Sequence, residues 1–339
     1  MAITRKRRST GKVTIADVAQ LAGVGTMTVS RALRTPEQVS DKLREKIEAA
    51  VNELGYMPNL TASALASASS HTIAMVVPNL AEAGCTEMFA GLQHVLQPAG
   101  YQIILAESRH RLEQEEKLLE TLLASNIAAA ILLSVDHNST VRHLLKNASI
   151  PVIEIGAIRT DPIDINIGID NVAAMFELTD MLVQRGYQNI GLLCANQEQW
   201  IFQQHLQGWY KAMLRHHMSP NRVINAALPP VFSTGASQLP EFLLAWPELD
   251  ALVCVSDELA CGVLYECQRR RIKVPDELAV VGFGDSDVSK VCQPSLTTMA
   301  VPHRKIGLEA GNVLLERIKE GNWSNQIFIE PCLCLRESC

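Results

Sequence analysis

The amino-acid sequence predicts an α/β protein: a small helix-turn-helix headpiece at the N-terminus, then two doubly wound α/β subdomains. Three observations predict this. Residues 13–55 carry apolar residues at helical spacing, punctuated by glycine. From residue 72 onward, short apolar runs of strand length alternate with longer helical patterns. The alternation occurs twice, in two similar halves, which implies a cleft between them. The expected boundaries are a headpiece over 1–58, a linker over 59–71 and a body over 72–339.

In the headpiece, Thr14 followed by Asp17 has the form of an N-cap with its reciprocal acid. Ile15, Val18, Ala19 and Ala22 then share one helical face, and Gly23 ends the helix by allowing a left-handed conformation. A second helix is expected from about Thr26 to Leu33, with Val29 and Leu33 inward and Thr26, Met27, Ser30 and Arg31 outward. Ser40 is expected to cap a third helix that buries Leu43, Ile47, Ala50, Val51 and Leu54 and stops at Gly55. A tight turn between two such helices lets the second project into a DNA major groove, first residues foremost. On that reading Thr26 and Met27 meet base edges, with Met27 suited to a thymine methyl, while Thr28, Ser30 and Arg31 bond phosphates. A helical hairpin used for protein contacts fits the same pattern.

Charge agrees with a nucleic-acid partner. The chain has 339 residues and a net charge of −6, unevenly spread. Residues 1–70 hold ten Lys and Arg against six acids, a balance of +4; the remainder holds twenty against thirty, a balance of −10. No apolar run reaches the roughly 18 residues a membrane span needs. The basic N-terminus has no apolar stretch behind it, so a cytosolic protein is expected. Nine scattered cysteines, with no C-x-x-C pair, read as free and mostly buried thiols rather than a metal site.

The run "VTIADVAQLAGVGTMTVSRAL" with "VSDKLREKIEAAVNELGYMPN" resembles the DNA-binding headpiece of the lactose-repressor (LacI) family. Within that family "RTPEQVS" and "MTVSR" are most similar to repressors of gluconate and related sugar-acid pathways. The Ala- and Ser-rich linker "NLTASALASASSHT" has no strong core face and in isolation would be at most a marginal helix. The resemblance implies a hinge helix that folds on DNA, contacts it through Asn59, Ala62 and Leu65, and wedges Leu65 into the minor groove. The family usually has arginine after that asparagine; here Leu60 removes one phosphate contact.

In the body, strands are expected at "TIAMVVPN", "YQIILAES", "AAAILLS", "PVIEIG", "NIGLLC", "ALVCVSD" and "AVVGFGD". The rival reading is an α/β carbohydrate enzyme or a sugar-binding protein with an accessory helical domain. Neither a phosphate-binding G-x-x-x-x-G-K-[ST], a dinucleotide G-x-G-x-x-G, a G-x-S-x-G elbow nor H-E-x-x-H occurs. No nucleophile stands beside a base, so a binding module without a cofactor is the better reading. "IGIDNVAAMFELTDMLVQRGYQNIGLL", "VCVSDELACGVL" and "VPDELAVVGFGDSDVSKVCQPSLTTM" resemble the periplasmic-binding-protein-like core of the same family, in order.

That resemblance implies a homodimer, a near-palindromic double-stranded operator and a small-molecule effector in the cleft. Its ligand positions depart from the usual pattern. His205 stands for a common arginine, Ser256-Asp257 for Asn-Asp, and Gly284-Asp285 for Asp-Asp. The lost arginine and carboxylate are groups that grip a neutral sugar's hydroxyls, so a sugar acid such as gluconate is expected, with His205 or Arg109 beside its charge; a neutral sugar or another metabolite is the alternative effector, and a surface or core histidine the alternative for His205. Ser108 and Ser134, at the ends of first-half strands, complete the expected set with Ser256, Asp257 and Asp285. Arg109 reads equally as a solvated surface charge, Asp257 equally as an N-cap, and Trp200 and Phe202 as pocket wall or plain core.

Overall fold

The computed structural model describes residues 13–57, 70–195, 200–321 and 323–339. The chain divides into two compact units, 1–70 and 71–339. Asn59, Ala62 and Leu65 lie outside the described residues.

The first unit contains α1 (Ile15–Ala22), α2 (Thr26–Arg34), a 3-10 turn at Pro36–Gln38 and α3 (Asp41–Leu54). The Asp17 carboxylate accepts from the Thr14 backbone N–H at 2.8 Å and from its hydroxyl at 2.7 Å, which holds the Asp17 carboxyl below its usual range. Gly23 takes φ +61°, and Val24 N–H then reaches Ala19 O at 3.0 Å. Gly55 repeats the device at φ +59°, with Tyr56 N–H on Val51 O. Ser40 occupies the N-cap position of α3, but its hydroxyl makes no cap bond; only its carbonyl engages the first turn. Val18, Ala19, Ala22, Val29, Ala32, Ile47 and Ala50 form the core, with Val24 and Leu33 packed against it.

The body is two six-stranded sheets. The first holds β1 (Thr72–Val77), β2 (Gln102–Glu107), β3 (Ala129–Leu132), β4 (Val152–Ala157) and β5 (Ile165–Ile169), with α4 (Ala83–Leu96), α5 (Leu112–Ala124) and α6 (Ser139–Asn147) in the connections. The second holds β6 (Ile190–Ala195), β7 (Val223–Ala226), β8 (Ala251–Cys254), β9 (Ala279–Gly284) and β10 (Thr297–Ala300). Its helices are α7 (Asn171–Gln184), α8 (Trp200–Arg215), α9 (Phe232–Ala245), α10 (Asp257–Arg270) and α11 (Asp287–Val291). The central strands are apolar where both faces are covered: in β1, Ile73, Met75 and Val77 enter one core, Ala74 and Val76 another. On the second sheet α9 and α10 meet backbone to backbone. A Cβ on Gly235 would lie 2.0 Å from Leu259 O, and one on Gly262 would lie 2.0 Å from Phe232 O.

The last forty residues do not stay with the second half. After β10 the chain forms α12 (His303–Ile318), which packs on α4, and then β11 (Gln326–Phe328), which joins the first sheet beside β5. It returns as β12 (Cys332–Cys334), antiparallel to β10 in the second sheet. The strand orders are β11-β5-β4-β3-β1-β2 and β12-β10-β9-β8-β6-β7.

This topology positions the cleft. The chain crosses between sheets three times: after Ile169 of β5, after Ala300 of β10, and between Phe328 and Cys332. Phe328 pairs with Gly168 near the carboxyl end of β5, and Cys332 pairs with Ala300 at the carboxyl end of β10. All three crossings are short and join carboxyl ends, so the carboxyl ends of the two sheets face each other.

Candidate functional site

Two surfaces stand out, one in each unit. On α2, Gly25 occupies the N-cap, so the helix proper begins at Thr26. Its carbonyl accepts from the N–H groups of Thr28 and Val29. Val29 and Ala32 are buried against the other two helices, which turns the opposite side outward. Thr26 and Arg31 are exposed, Met27 is 75% exposed, and Thr28 and Ser30 are half-buried. A bare methionine at that exposure has no role in holding the headpiece together. Met27 and Thr26 sit on the first turn, the part of a second helix that reaches base edges in a helix-turn-helix.

At the facing strand ends most polar side chains are already engaged. Ser108 is buried after β2, its hydroxyl 3.4 Å from Val77 O. The Ser134 hydroxyl accepts from Asp136 N–H at 3.1 Å. Ser256 is the N-cap of α10, accepting from Leu259 N–H at 3.3 Å. Asp257 is therefore not the cap: it is fully buried, accepting from the Thr298 hydroxyl and from Ser286 N–H, both at 2.6 Å. Burial pushes its carboxyl pKa up, against those two bonds. Gly282 is glycine because a Cβ there would stand 2.3 Å from Asp257 Oδ1. Asp285, at φ +59°, accepts from Arg336 at 2.5 Å and from the Ser289 hydroxyl at 3.1 Å. Arg109 is 80% exposed, 3.5 Å from Glu107, which corresponds to the solvated alternative.

His205, on α8, differs from these. It is 5% exposed, and its ring packs on Phe283 of β9 with centroids 4.5 Å apart. Its Nε2 lies 3.3 Å from Asn171 Oδ1, the first residue of α7 after the crossing from β5. Burial pushes the imidazole down to about 4, so it is neutral near pH 7. A neutral ring donating from Nε2 keeps Nδ1 as an acceptor. Asn171 is 4% exposed, and its Nδ2 has no hydrogen-bond partner among the described residues. Phe202 and Trp209 on the same helix are buried in the main core. A surface groove of about 380 Å³ beside Leu123, Ile127, Leu144 and Ile150 lies at the opposite, amino ends of β3 and β4.

Residues 14–59 match the family model described as bacterial regulatory proteins, lacI family, and residues 179–339 match a periplasmic binding protein-like domain. The chain is 36% identical over 304 residues to the HTH-type transcriptional regulator GntR of Escherichia coli (strain K12), covering 89% of this chain and 91% of that one. The chain belongs to the LacI family. The HTH-type transcriptional regulator IdnR of the same organism is 29% identical over 311 residues, covering 92% and 93% of the two chains. A LacI-family regulator from Silicibacter pomeroyi has a solved structure that superposes with a TM-score of 0.90 at 27% identity, covering 96% of this chain and 99% of that one.

As a LacI-family member the chain is a DNA-binding transcriptional regulator and not an enzyme, and small-molecule effectors are part of how such regulators work. Among the described residues no helix is long and apolar enough to cross a membrane. The family resemblance implies that the pair Asp170-Asn171, after the strand-like "INIGI", sits close to the pocket and the linkage between subdomains, but sequence reasoning missed the bare donor on Asn171 and Arg336 as the partner of Asp285. The first had a signal, an asparagine opening a helix at a subdomain crossing. The second had none, because its arginine lies 51 residues away on the far side of two crossings.

Proposed function

We propose that this chain is a repressor that binds a near-palindromic double-stranded operator as a homodimer. A sugar acid such as gluconate, bound between the two body subdomains, releases it. The headpiece is residues 1–58, the hinge 59–71 and the effector and dimerisation core 72–339. Thr26 and Met27 read bases, and Thr28, Ser30 and Arg31 contact phosphates. Asn59, Ala62 and Leu65 contact the minor groove, with Leu65 as the wedge. His205 lies against the effector, flanked by Ser108, Ser134 and Ser256. Asp257 and Asp285 shape the wall through their own bonds, and Arg109 adds positive charge at its rim.

The observation that carries the effector reading is the buried Asn171 amide, whose Nδ2 lacks a partner beside a neutral His205. A buried donor left unsatisfied costs roughly 1–3 kcal/mol, and a ligand oxygen relieves that cost. Closure on the ligand would separate the two hinge segments of the dimer, an order–disorder switch worth roughly 1–3 kcal/mol of coupling.

A gel shift on an operator palindrome, titrated with gluconate, tests this reading. Gluconate is expected to release the DNA. His205→Ala is expected to bind operator as before and to need far more gluconate for release. Operator binding that tightens with gluconate would make the metabolite a corepressor and overturn induction.

A further inference from the structure

We infer that capture of the sugar acid is coupled to uptake of one proton by His205, with the Asn171 amide as the fixed donor beside it. The inference rests on the sugar-acid reading above and adds its electrostatic mechanism.

The geometry sets the polarity of this wall. Nε2–H of His205 donates to Asn171 Oδ1 at 3.3 Å. That bond orients the amide and leaves Nδ2 as a donor with no partner among the described residues. A donor-only group calls for an acceptor, and a carboxylate is an acceptor at both oxygens. Yet an anion brought into so dry a wall needs a positive charge, and among the described residues none stands beside this ring, Arg109 being out at the solvated rim.

The surrounding elements supply no substitute. On α7, Asp170 caps its own helix by accepting from Ala173 N–H, Glu177 is exposed, and Asp180 pairs with His216 at 2.6 Å. On β6 the only titratable group is the Cys194 thiol, which burial keeps protonated. Next to β9, Asp285 is paired with Arg336 and lies 3.8 Å from Lys290, and Asp257 is bonded to Thr298 and Ser286. On α8 itself, Lys211 is exposed and Arg215 lies over the Phe176 ring.

The remaining source of charge is the ring. Burial alone keeps it neutral, with its value pushed down to about 4. A carboxylate placed against the ring favours its charged form by direct attraction. A proton then comes from solvent to Nδ1, so neutral imidazole, solvent proton and carboxylate become an imidazolium–carboxylate pair with no bond broken elsewhere. A fixed arginine at this position would bind the anion at any pH; a histidine makes affinity depend on proton supply. Between the free and bound ring values, affinity falls about tenfold per pH unit as pH rises.

The test is calorimetric titration of the whole protein with D-gluconate at pH 6.5, in PIPES and in imidazole buffers, which differ in ionisation heat. D-glucitol, which replaces the carboxylate by a hydroxymethyl group, is the neutral control. Gluconate heats are expected to differ between buffers by an amount equal to uptake of close to one proton per site. His205→Gln keeps a polar side chain without titrating there, and should bind more weakly, with equal heats and a flat pH profile. His205→Arg should bind gluconate with no proton uptake, and Asn171→Asp should lose at least tenfold in affinity. Gluconate binding with equal heats in both buffers overturns the proton coupling and leaves the sugar-acid reading standing. Binding of glucitol with none of gluconate overturns that reading, and the coupling with it.

Discussion

The face of α2 and the facing strand ends of the body handle polar groups in opposite ways. On α2 the proposed DNA-contacting side chains point outward, and Met27 is three-quarters exposed while touching little of its own protein. At the strand ends Ser256, Asp257 and Asp285 are committed to protein partners, and the Asn171 amide keeps a buried donor with no partner among the described residues. DNA is a large polyanion that brings its own hydration, so a reading surface can stay solvated until it docks. A small ligand has few contacts to offer. Its site must be dry and preorganised, with nearly every polar group already held in place.

The largest test of this contrast is at Asp257. Asp257→Ala would strand the Thr298 hydroxyl and Ser286 N–H in the core, and the body is expected to lose about 3 kcal/mol in denaturant unfolding followed by circular dichroism. Asp257→Asn keeps one acceptor oxygen and should lose less. Equal stability of the alanine variant would mean that these bonds do not organise the wall.

A second test uses pH. The His205 ring has a folded value depressed from 6.5 to about 4. The unfolded chain therefore takes up the extra proton within that window, and stability falls as pH drops through it. The contribution of this one group should shrink by about 2 kcal/mol between pH 7 and pH 5. His205→Gln should remove that part of the acid sensitivity, seen as a flatter plot of unfolding midpoint against pH. Asp257 gives the opposite sign: its carboxyl is raised, so its ionisation opposes folding, and that penalty is relieved as pH falls through its folded value.

The smallest effects are expected on α2, where they sharpen the contrast by leaving the fold alone. Arg31→Ala should weaken all DNA sequences alike and lower the salt slope by about 1. Met27→Ala should leave headpiece stability within about 0.5 kcal/mol, and change preference at one position of each half-site by about 1 kcal/mol. Binding to a panel of operator variants over a salt series reads both. A uniform loss from Met27→Ala would reverse the roles given to these residues.

Much of α2's neighbourhood was legible in advance, and much of the cleft was not. The helix stops at Gly23 and Gly55, the pairing of Thr14 with Asp17, and the inward Val29 all follow from interactions within about five residues. So do the apolar runs of the central strands β1, β3, β4 and β6, whose two faces are both covered. Ser40 is a local miss: its residue type suits a cap, but its side chain is not used as one.

What the sequence by itself determined is the three headpiece helices, most of the central strands of the body, the alternation that makes two doubly wound sheets, and the outward face of α2. Steric limits on φ and ψ and the burial period act over one or two turns of chain, so they are written locally. Only the tertiary structure decided that β11 and β12, three residues each, belong to different sheets. It alone brought Arg336 to Asp285, Thr298 to Asp257 and His205 to Asn171, across 51, 41 and 34 residues. Segments that short carry no periodicity of their own. Partners that far apart in sequence meet only where the three crossings bring the strand ends together, because closing such long loops is repaid by the packing of both sheets and not by any local preference.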